Sequence, residues 1–275
     1  MGAINFSLDL DLIKTLKNVL PLEIFVETGT FKGDTVELVK DYFNKIYSIE
    51  LSHDYYQKAQ TRFQNAPHIT LMQGQSHELM HTLMDQIQNR PTIFWLDAHW
   101  CVAENTAGEL SQCPLLAELA TIPFLNPHSM IIIDDARLFL TPPPIPHEVT
   151  HWPRFADIMH SLLKLSQQHT LTILNDCILF FPISIQTHIE QYACQKGVDW
   201  LNIADKSRDY DVLLKQLIEK EAQIQLLNKI CIERQHTIDL LTKSSHREQP
   251  KDNPKFGSRN LSNLKNQPDD STHFI

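Results

Sequence analysis

Short β-rich runs alternate with helical patterns along the first two thirds of this chain. Between the runs, apolar residues recur at the three- and four-residue spacing of an amphipathic helix. Strands and helices that alternate in this way form a mostly parallel sheet with right-handed crossovers. The five runs are EIFVET (23–28), KIYSIE (45–50), ITLMQG (69–74), TIFWLD (92–97) and SMIIID (129–134).

A different pattern closes this region. In LTILNDCILFFP (171–182), two β-rich runs flank Asn175 and Asp176, a pair that favours a tight turn. The pattern predicts an antiparallel hairpin at the edge of the sheet. The expected fold is therefore α/β and Rossmann-like, mostly parallel with an antiparallel terminal hairpin.

Four zones follow from the composition along the 275 residues. Residues 1–183 are predicted to form one α/β domain, and residues 184–206 are predicted to form a connector. Residues 207–243 have the apolar spacing of a long helix. Residues 244–275 are rich in Ser, Asn, Pro and charged residues, and this composition predicts disorder.

The helical zone repeats apolar residues every seven positions. Tyr210, Leu217, Ile224, Cys231 and Ile238 share one heptad position, and Leu213, Leu227 and Leu241 lie three residues after members of that set. Lys220 and Arg234 interrupt the second set. The pattern predicts a coiled-coil helix that associates with itself or with a partner helix, and the alternative is a helix packed on its own domain.

Charge and segment patterns exclude several classes of protein. The formal net charge is −9, so the chain lacks the basic excess that binding to a nucleic-acid backbone requires. It shows neither a secretory leader nor an apolar run long enough to span a bilayer. Five scattered cysteines without a CxxC pair indicate reduced thiols. A soluble cytoplasmic protein without nucleic-acid partners is expected.

The first two strands end in acidic residues beside a glycine turn. Glu27 lies two residues before Gly29. The turn between them and the next helix lacks GxGxxG, and Glu27 would place a carboxylate against a pyrophosphate bound there. A cationic ligand suits this carboxylate better, and S-adenosylmethionine (SAM) carries a sulfonium and an ammonium group. Glu50 ends the second strand, where a carboxylate can accept hydrogen bonds from ribose hydroxyls.

The third strand ends in Gly74-Gln75-Ser76, whose polar groups could bind an adenine edge. Ser76 could equally cap the next helix.

Acidic residues also follow the fourth and fifth strands. Asp97 and His99 follow the fourth, and Asp134 and Asp135 follow the fifth. Ligands of parallel sheets bind beyond the carboxyl ends of the strands, so these side chains should converge. Carboxylates in close proximity repel each other unless a proton or a cation neutralises them. A hard divalent ion would suit them, whereas capping and salt bridges, for example with Arg137, are the structural alternative.

The order VETGTFKGDT, YSIELS, LMQGQS resembles the first three motifs of class I SAM-dependent methyltransferases over residues 20–183. The resemblance implies a class I methyltransferase sheet with SAM as cofactor. It implies cofactor contacts from residues in and near these motifs, which are Glu27, Thr28, Gly29, Thr30, Gly33, Glu50, Leu51, Gly74, Gln75, Ser76 and Asp97.

The ends of strands four and five resemble the metal-dependent O-methyltransferases of the catechol type. That resemblance implies Asp97, Asp134 and Asp135 as ligands of Mg²⁺ or Mn²⁺, with the ion lowering the pKa of an acceptor hydroxyl. The lysine base of that pattern has no counterpart between Asp97 and Cys113. His99 replaces it as the predicted catalytic base, together with Asp97.

The acceptor is expected to be a small molecule or glycan. The phrases LDAHW and IIIDDAR resemble a bacterial branch of the superfamily whose members commonly occur beside sugar-modifying enzymes, which implies a sugar or related polyhydroxyl acceptor. Residues 101–113 and 141–153 should form its pocket, and candidate lining residues are His147, His151, Trp152 and Arg154.

Two other functions stay open. The first is a catalytically silent SAM-fold scaffold that works through its coiled coil. The second is an NAD-linked dehydrogenase, which the missing GxGxxG disfavours.

Overall fold

The computed structural model describes residues 8–100 and 111–245. The chain divides into two compact units, Met1–Asp199 and Trp200–Ile275. The first unit contains the whole sheet, and the second contains one long helix.

Seven strands form a single sheet in the order β3-β2-β1-β4-β5-β7-β6. Strands β1 to β5 are parallel, whereas β7 is antiparallel to both β5 and β6. The parallel strands and the antiparallel terminal hairpin agree with the mostly parallel, Rossmann-like sheet predicted from the sequence. The strands are β1 (Ile24–Thr28), β2 (Lys45–Glu50), β3 (Ile69–Gln73), β4 (Thr92–Leu96), β5 (Met130–Ile133), β6 (His169–Leu174) and β7 (Cys177–Pro182).

Nine α-helices lie within the described residues. Those of the first unit are α1 (Leu10–Val19), α2 (Asp34–Val39), α3 (His53–Arg62), α4 (Ser76–Ile87), α5 (Leu115–Ala120), α6 (Arg137–Leu140), α7 (Phe155–Leu165) and α8 (Gln186–Lys196). The second unit holds α9 (Trp200–Ser245).

The core of the first unit covers both faces of the sheet. Ile24 and Val26 of β1 pack into one apolar cluster, and Phe25 between them packs into another. Successive strand residues point to opposite faces, so both clusters draw on the same strand. Every residue of β1, β4, β5 and β7 is buried. Burial on both faces explains why the runs in β4, β5 and β7 are almost continuously apolar.

The C-terminal part differs from the expected boundaries. The predicted connector at 184–206 contains α8, whose Ile189 and Tyr192 are buried, and the Tyr192 hydroxyl is hydrogen-bonded to Asp9 just before α1. Helix α9 begins seven residues before the predicted position 207, because the heptad repeat starts only at Tyr210, within the helix. It ends at Ser245, so residues 246–275 of the predicted tail lie outside the described residues.

None of the described helices combines the length and the apolar content that a bilayer crossing requires.

Candidate active site

The ends of the parallel strands meet along one edge of the sheet. The backbone N–H of Gly29 donates to the Ile49 carbonyl at 2.9 Å, and that of Asp97 donates to the Thr28 carbonyl at 3.1 Å. The N–H of Asp134 donates to the Leu96 carbonyl at 3.2 Å. The predicted residues after β1, β2, β4 and β5 are thereby held next to one another, as expected for a ligand site of an open parallel sheet.

Gly29 lies where the turn after β1 passes closest to β4. Its φ of 85° is in the left-handed region, and a Cβ at this position would lie 2.3 Å from the carbonyl oxygen of Asp97. Only glycine fits such a contact with backbone. Phe31 (φ 47°) and Gly33 (φ 75°) continue the left-handed turn up to the start of α2.

Glu50 holds this turn through its carboxylate. Its Oε2 accepts a hydrogen bond from the Phe31 N–H and its Oε1 accepts one from the Ser52 N–H, both at 2.7 Å. Burial raises the pKa of Glu50, and backbone N–H groups of Ser52, Phe31 and Leu51 limit the rise. Each carboxylate oxygen can accept more than one hydrogen bond, so both keep capacity for a ligand hydroxyl.

Glu27 is fully buried beneath the glycine turn. Its Oε2 accepts a hydrogen bond from Ser48 Oγ, which lies 2.5 Å from Thr30 Oγ1. Burial raises the pKa of Glu27 well above its ordinary value, although the Ser48 hydrogen bond opposes the rise. A bound cation would favour the ionised form of this carboxylate.

The segment after β3 answers one question left open by the sequence. Helix α4 begins at Ser76 after Gln75, so Ser76 lies inside the helix instead of capping it. The Ser76 side chain is buried and hydrogen-bonded to Glu118, whereas Gln75 is exposed. Leu51, after β2, is about half exposed.

A second group of charged side chains lies beyond β4 and β5. His99 Nε2 lies 2.7 Å from Asp135 Oδ2 and 3.5 Å from Asp97 Oδ1. On its other side, Asp135 accepts a hydrogen bond from Arg137 at 2.7 Å, and Arg137 also forms an ion pair with Asp176. Asp135 and Arg137 therefore form the salt bridge that the sequence analysis gave as the alternative to a metal site.

The arrangement shifts the pKa values of this group. Burial alone would lower the pKa of His99, but the hydrogen bond to Asp135 and the charges of Asp97 and Asp135 together raise it to about 9. Burial would raise the pKa of Asp135, and His99 and Arg137 hold it well below its ordinary value. The pKa of Asp97 is raised well above its usual range by burial and by the Asp134 charge.

The geometry of a metal site differs from the one that the sequence predicts. Ligand atoms of Asp97, His99 and Asp135 lie within 4.8 Å of one another and could hold an ion. Asp134 is not in this set, and its Oδ1 accepts a hydrogen bond from Cys177 Sγ at 3.6 Å. A set of one imidazole and two carboxylates fits a divalent cation, because carboxylates suit Mg²⁺ and Mn²⁺ and an imidazole suits other transition ions.

The sequence analysis missed Glu118, which belongs to the same neighbourhood. It lies on the buried face of α5, and its side chain is hydrogen-bonded to Ser76 and to Thr28 at the end of β1. Burial raises the pKa of Glu118 to about 6. The only sequence signal is an acidic residue one turn after Leu115 on an apolar helix face.

Aromatic rings surround His99. Its ring lies 5.6 Å from Trp152 and 6.1 Å from Phe139, and His147 lies 5.2 Å from Trp152 and 5.5 Å from Trp100. A cavity of about 310 Å³ opens beside Trp152, and its lining includes Gln75, His77, Cys113, Leu116 and His151.

Of the predicted pocket residues, His151 and Trp152 line this cavity and His147 packs against Trp152. Arg154 precedes α7 and is not part of the lining within the described residues. Residues 101–110 of the predicted pocket lie outside the described part of the chain.

Comparison with known proteins identifies similar solved structures. No protein-family model matches the chain, and no curated protein matches its sequence. A candidate O-methyltransferase from Klebsiella pneumoniae is 14% identical, with a TM-score of 0.43, over 63% of this chain and 79% of that one. A candidate methyltransferase from Streptococcus mutans, in complex with SAH, is 16% identical, with a TM-score of 0.41, over 62% and 93% of the respective chains. None of these values is high enough to assign this chain a cofactor or a reaction.

Proposed function

We propose that residues 1–183 form a SAM-dependent methyltransferase domain that methylates a hydroxyl oxygen of a sugar, a glycan or a related small molecule. The observation that carries the proposal is the set of Glu27, Gly29 and Glu50 at the ends of adjacent parallel strands, with Asp97 in backbone contact with the same turn. These are the groups that a cationic nucleoside ligand needs at one edge of a parallel sheet.

The cofactor would lie across the ends of β1, β2 and β3. In this placement the buried carboxylate of Glu27 supplies negative charge below the turn formed by Thr28, Thr30 and Gly33. Glu50 accepts hydrogen bonds from the ribose hydroxyls. The remaining predicted contacts, which are Leu51, Gly74, Gln75 and Ser76, follow β2 and β3 and would border the adenine.

Methyl transfer would form an O–CH₃ bond as the C–S⁺ bond breaks, leaving S-adenosylhomocysteine (SAH). The acceptor oxygen must lose its proton, and Asp97 is the best-placed group to take it. Its side chain is 30% exposed, whereas that of Asp135 is only 6% exposed. Its raised pKa also makes it a stronger base than an ordinary carboxylate.

We assign His99 a role other than the catalytic base that the sequence predicts. With a pKa of about 9 it is protonated at neutral pH, so it holds a proton between Asp97 and Asp135 instead of accepting one. A divalent ion held by Asp97, His99 and Asp135 would replace that proton. Such an ion would supply Lewis-acid activation of the acceptor hydroxyl.

The acceptor would enter through the cavity beside Trp152. Its lining includes both Trp152, whose ring packs against His99, and Gln75, one of the proposed adenine contacts. Aromatic rings with polar edges can pack on the apolar faces of a sugar while histidine side chains hydrogen-bond its hydroxyls.

Calorimetric titration of the full chain with SAM, SAH and NAD tests the cofactor assignment. SAM and SAH should bind and NAD should not. Glu50→Ala should weaken SAM binding on the order of 10- to 100-fold, because charge-assisted hydrogen bonds of about 1.5–3 kcal/mol are lost. The matched control is Glu23→Ala, which removes an exposed carboxylate paired with Arg90 before β1 and should leave SAM binding unchanged.

Binding of NAD, or SAM binding that is unaffected by Glu50→Ala, would contradict this assignment. Screening sugars and glycosides for methyl transfer then separates the enzyme from the scaffold alternative. SAM binding without turnover of any hydroxylated acceptor would favour the scaffold.

A further inference from the structure

The surface of α9 is unusually apolar for a helix in water. Five residues of the heptad set, Leu213, Leu217, Ile224, Leu227 and Ile238, are between 53% and 62% exposed. Contiguous exposed apolar surface of this kind marks an interaction site. We call the ten a and d positions from 210 to 241 the heptad seam; in order they are Tyr210, Leu213, Leu217, Lys220, Ile224, Leu227, Cys231, Arg234, Ile238 and Leu241.

The two charged residues of the seam disfavour a parallel pair of identical helices. In a parallel in-register dimer each seam residue lies opposite its own copy. Lys220 would then face a second Lys220 and Arg234 a second Arg234, both at interior d positions. Two pairs of like charges would thus lie close together within one short interface, which destabilises the parallel pair.

An antiparallel pair removes both contacts because an a position then faces a d position. In the register centred between Gln225 and Leu226, all ten seam positions remain paired over 32 residues, or about 48 Å at 1.5 Å per residue. Lys220 lies opposite the partner's Cys231, and Arg234 lies opposite the partner's Leu217. The long stems of both basic side chains can cover these apolar neighbours while their charged ends reach the solvent.

The remaining seam positions pair apolar residues with one another in this register. Leu213 faces the partner's Ile238, and Ile224 faces the partner's Leu227. The seam is therefore complementary to its own reversed copy, and no second kind of helix is needed to cover it.

We propose that α9 pairs with the α9 of a second copy of this chain as an antiparallel coiled coil through residues 210–241. The inference is independent of the reaction proposed for the first unit.

Disulfide mapping tests the orientation in the full chain. Lys220→Cys places a thiol opposite the partner's Cys231 in the proposed register. Mild oxidation should give a covalent dimer whose digest contains a peptide pair linking positions 220 and 231. The two positions are eleven residues apart on one helix, about 16 Å, which is too far for a link within one chain. A link between two copies of position 231 or of position 220, or no link through either position, would overturn the proposal.

Light scattering with a matched pair of variants tests the seam itself. The wild type should be a dimer, and Leu227→Asp should raise its dissociation constant at least 100-fold. Leu226→Asp places the same charge on the neighbouring residue, which is equally exposed but outside the seam, and should leave the dimer intact. Circular dichroism should show that both variants remain folded. A monomeric wild type, a higher oligomer, or equal effects of the two substitutions would refute the inference.

Discussion

Removal of the His99 imidazole should change how the stability of the first unit depends on pH. In the folded chain the pKa of His99 is about 9, whereas its ordinary value is 6.5. A group whose pKa is raised by folding contributes stability below its unfolded pKa and loses that contribution as pH rises through the folded value. The difference corresponds to about 3 kcal/mol at 1.36 kcal/mol per pH unit.

The His99→Gln variant should therefore be about 3 kcal/mol less stable than the wild type near pH 6. Its deficit should shrink between pH 6.5 and 9 and nearly vanish above pH 9.5. The assay is urea unfolding followed by tryptophan fluorescence, because Trp95 is buried in the sheet. A chelator must be present, since a bound ion would displace the proton of His99.

His169 supplies the matched control. It is also buried in the first unit. Burial lowers the pKa of His169, and the hydrogen bond to the Ser129 carbonyl opposes this shift only in part. Its contribution is therefore present above pH 6.5 and lost as pH falls. The His169→Gln variant should change the acid side of the stability profile and leave the alkaline slope intact. Parallel profiles for wild type and His99→Gln between pH 6.5 and 9.5 would refute the reasoning.

Three further predictions concern the proposed site. Gly29→Ala should destabilise the first unit by at least about 2 kcal/mol and abolish SAM binding, as urea unfolding and calorimetry would show. The new Cβ would lie 2.3 Å from the carbonyl oxygen of Asp97, and the left-handed backbone conformation adds strain. Mn²⁺ affinity, measured by titration, should rise at least about tenfold per pH unit from 6.5 to 8.5, because the ion must displace the His99 proton, and His99→Gln should reduce that slope. Asp97→Asn should reduce turnover at least about 100-fold while leaving the SAM dissociation constant within about threefold, as single-turnover kinetics and calorimetry would show.

The sheet could be predicted because its pattern has a direct physical cause. Strands β4, β5 and β7 are buried on both faces, so their sequences must be apolar almost throughout. The hairpin also follows from local chemistry, since Asn175 adopts a φ of 57° in the turn before β7. Helices α1 and α8 have no counterpart among the predicted elements. The hydrogen bond between Tyr192 of α8 and Asp9 before α1 joins residues far apart in the chain, which no local pattern predicts.

The residues that surround the site could be predicted, but their side-chain directions could not. Asp134 and Asp135 are adjacent, and successive residues at the end of a strand point to opposite faces. The backbone of Asp135 has a φ of 54°, which turns its carboxylate towards His99 while Asp134 contacts Cys177. No sequence pattern specifies a left-handed aspartate, so the choice between two neighbouring carboxylates depends on tertiary structure.

The same limit applies to the role that we propose for His99. A histidine is a good general base at neutral pH only while its pKa stays near 6.5. Its neighbours decide this, and here Asp97 and Asp135 favour the charged form more strongly than burial opposes it. A base that binds its proton this tightly is ineffective at neutral pH. Burial and neighbouring carboxylates also raise the pKa of Asp97. Protonated His99 and a bound cation are thus alternative ways to neutralise the carboxylates of Asp97 and Asp135.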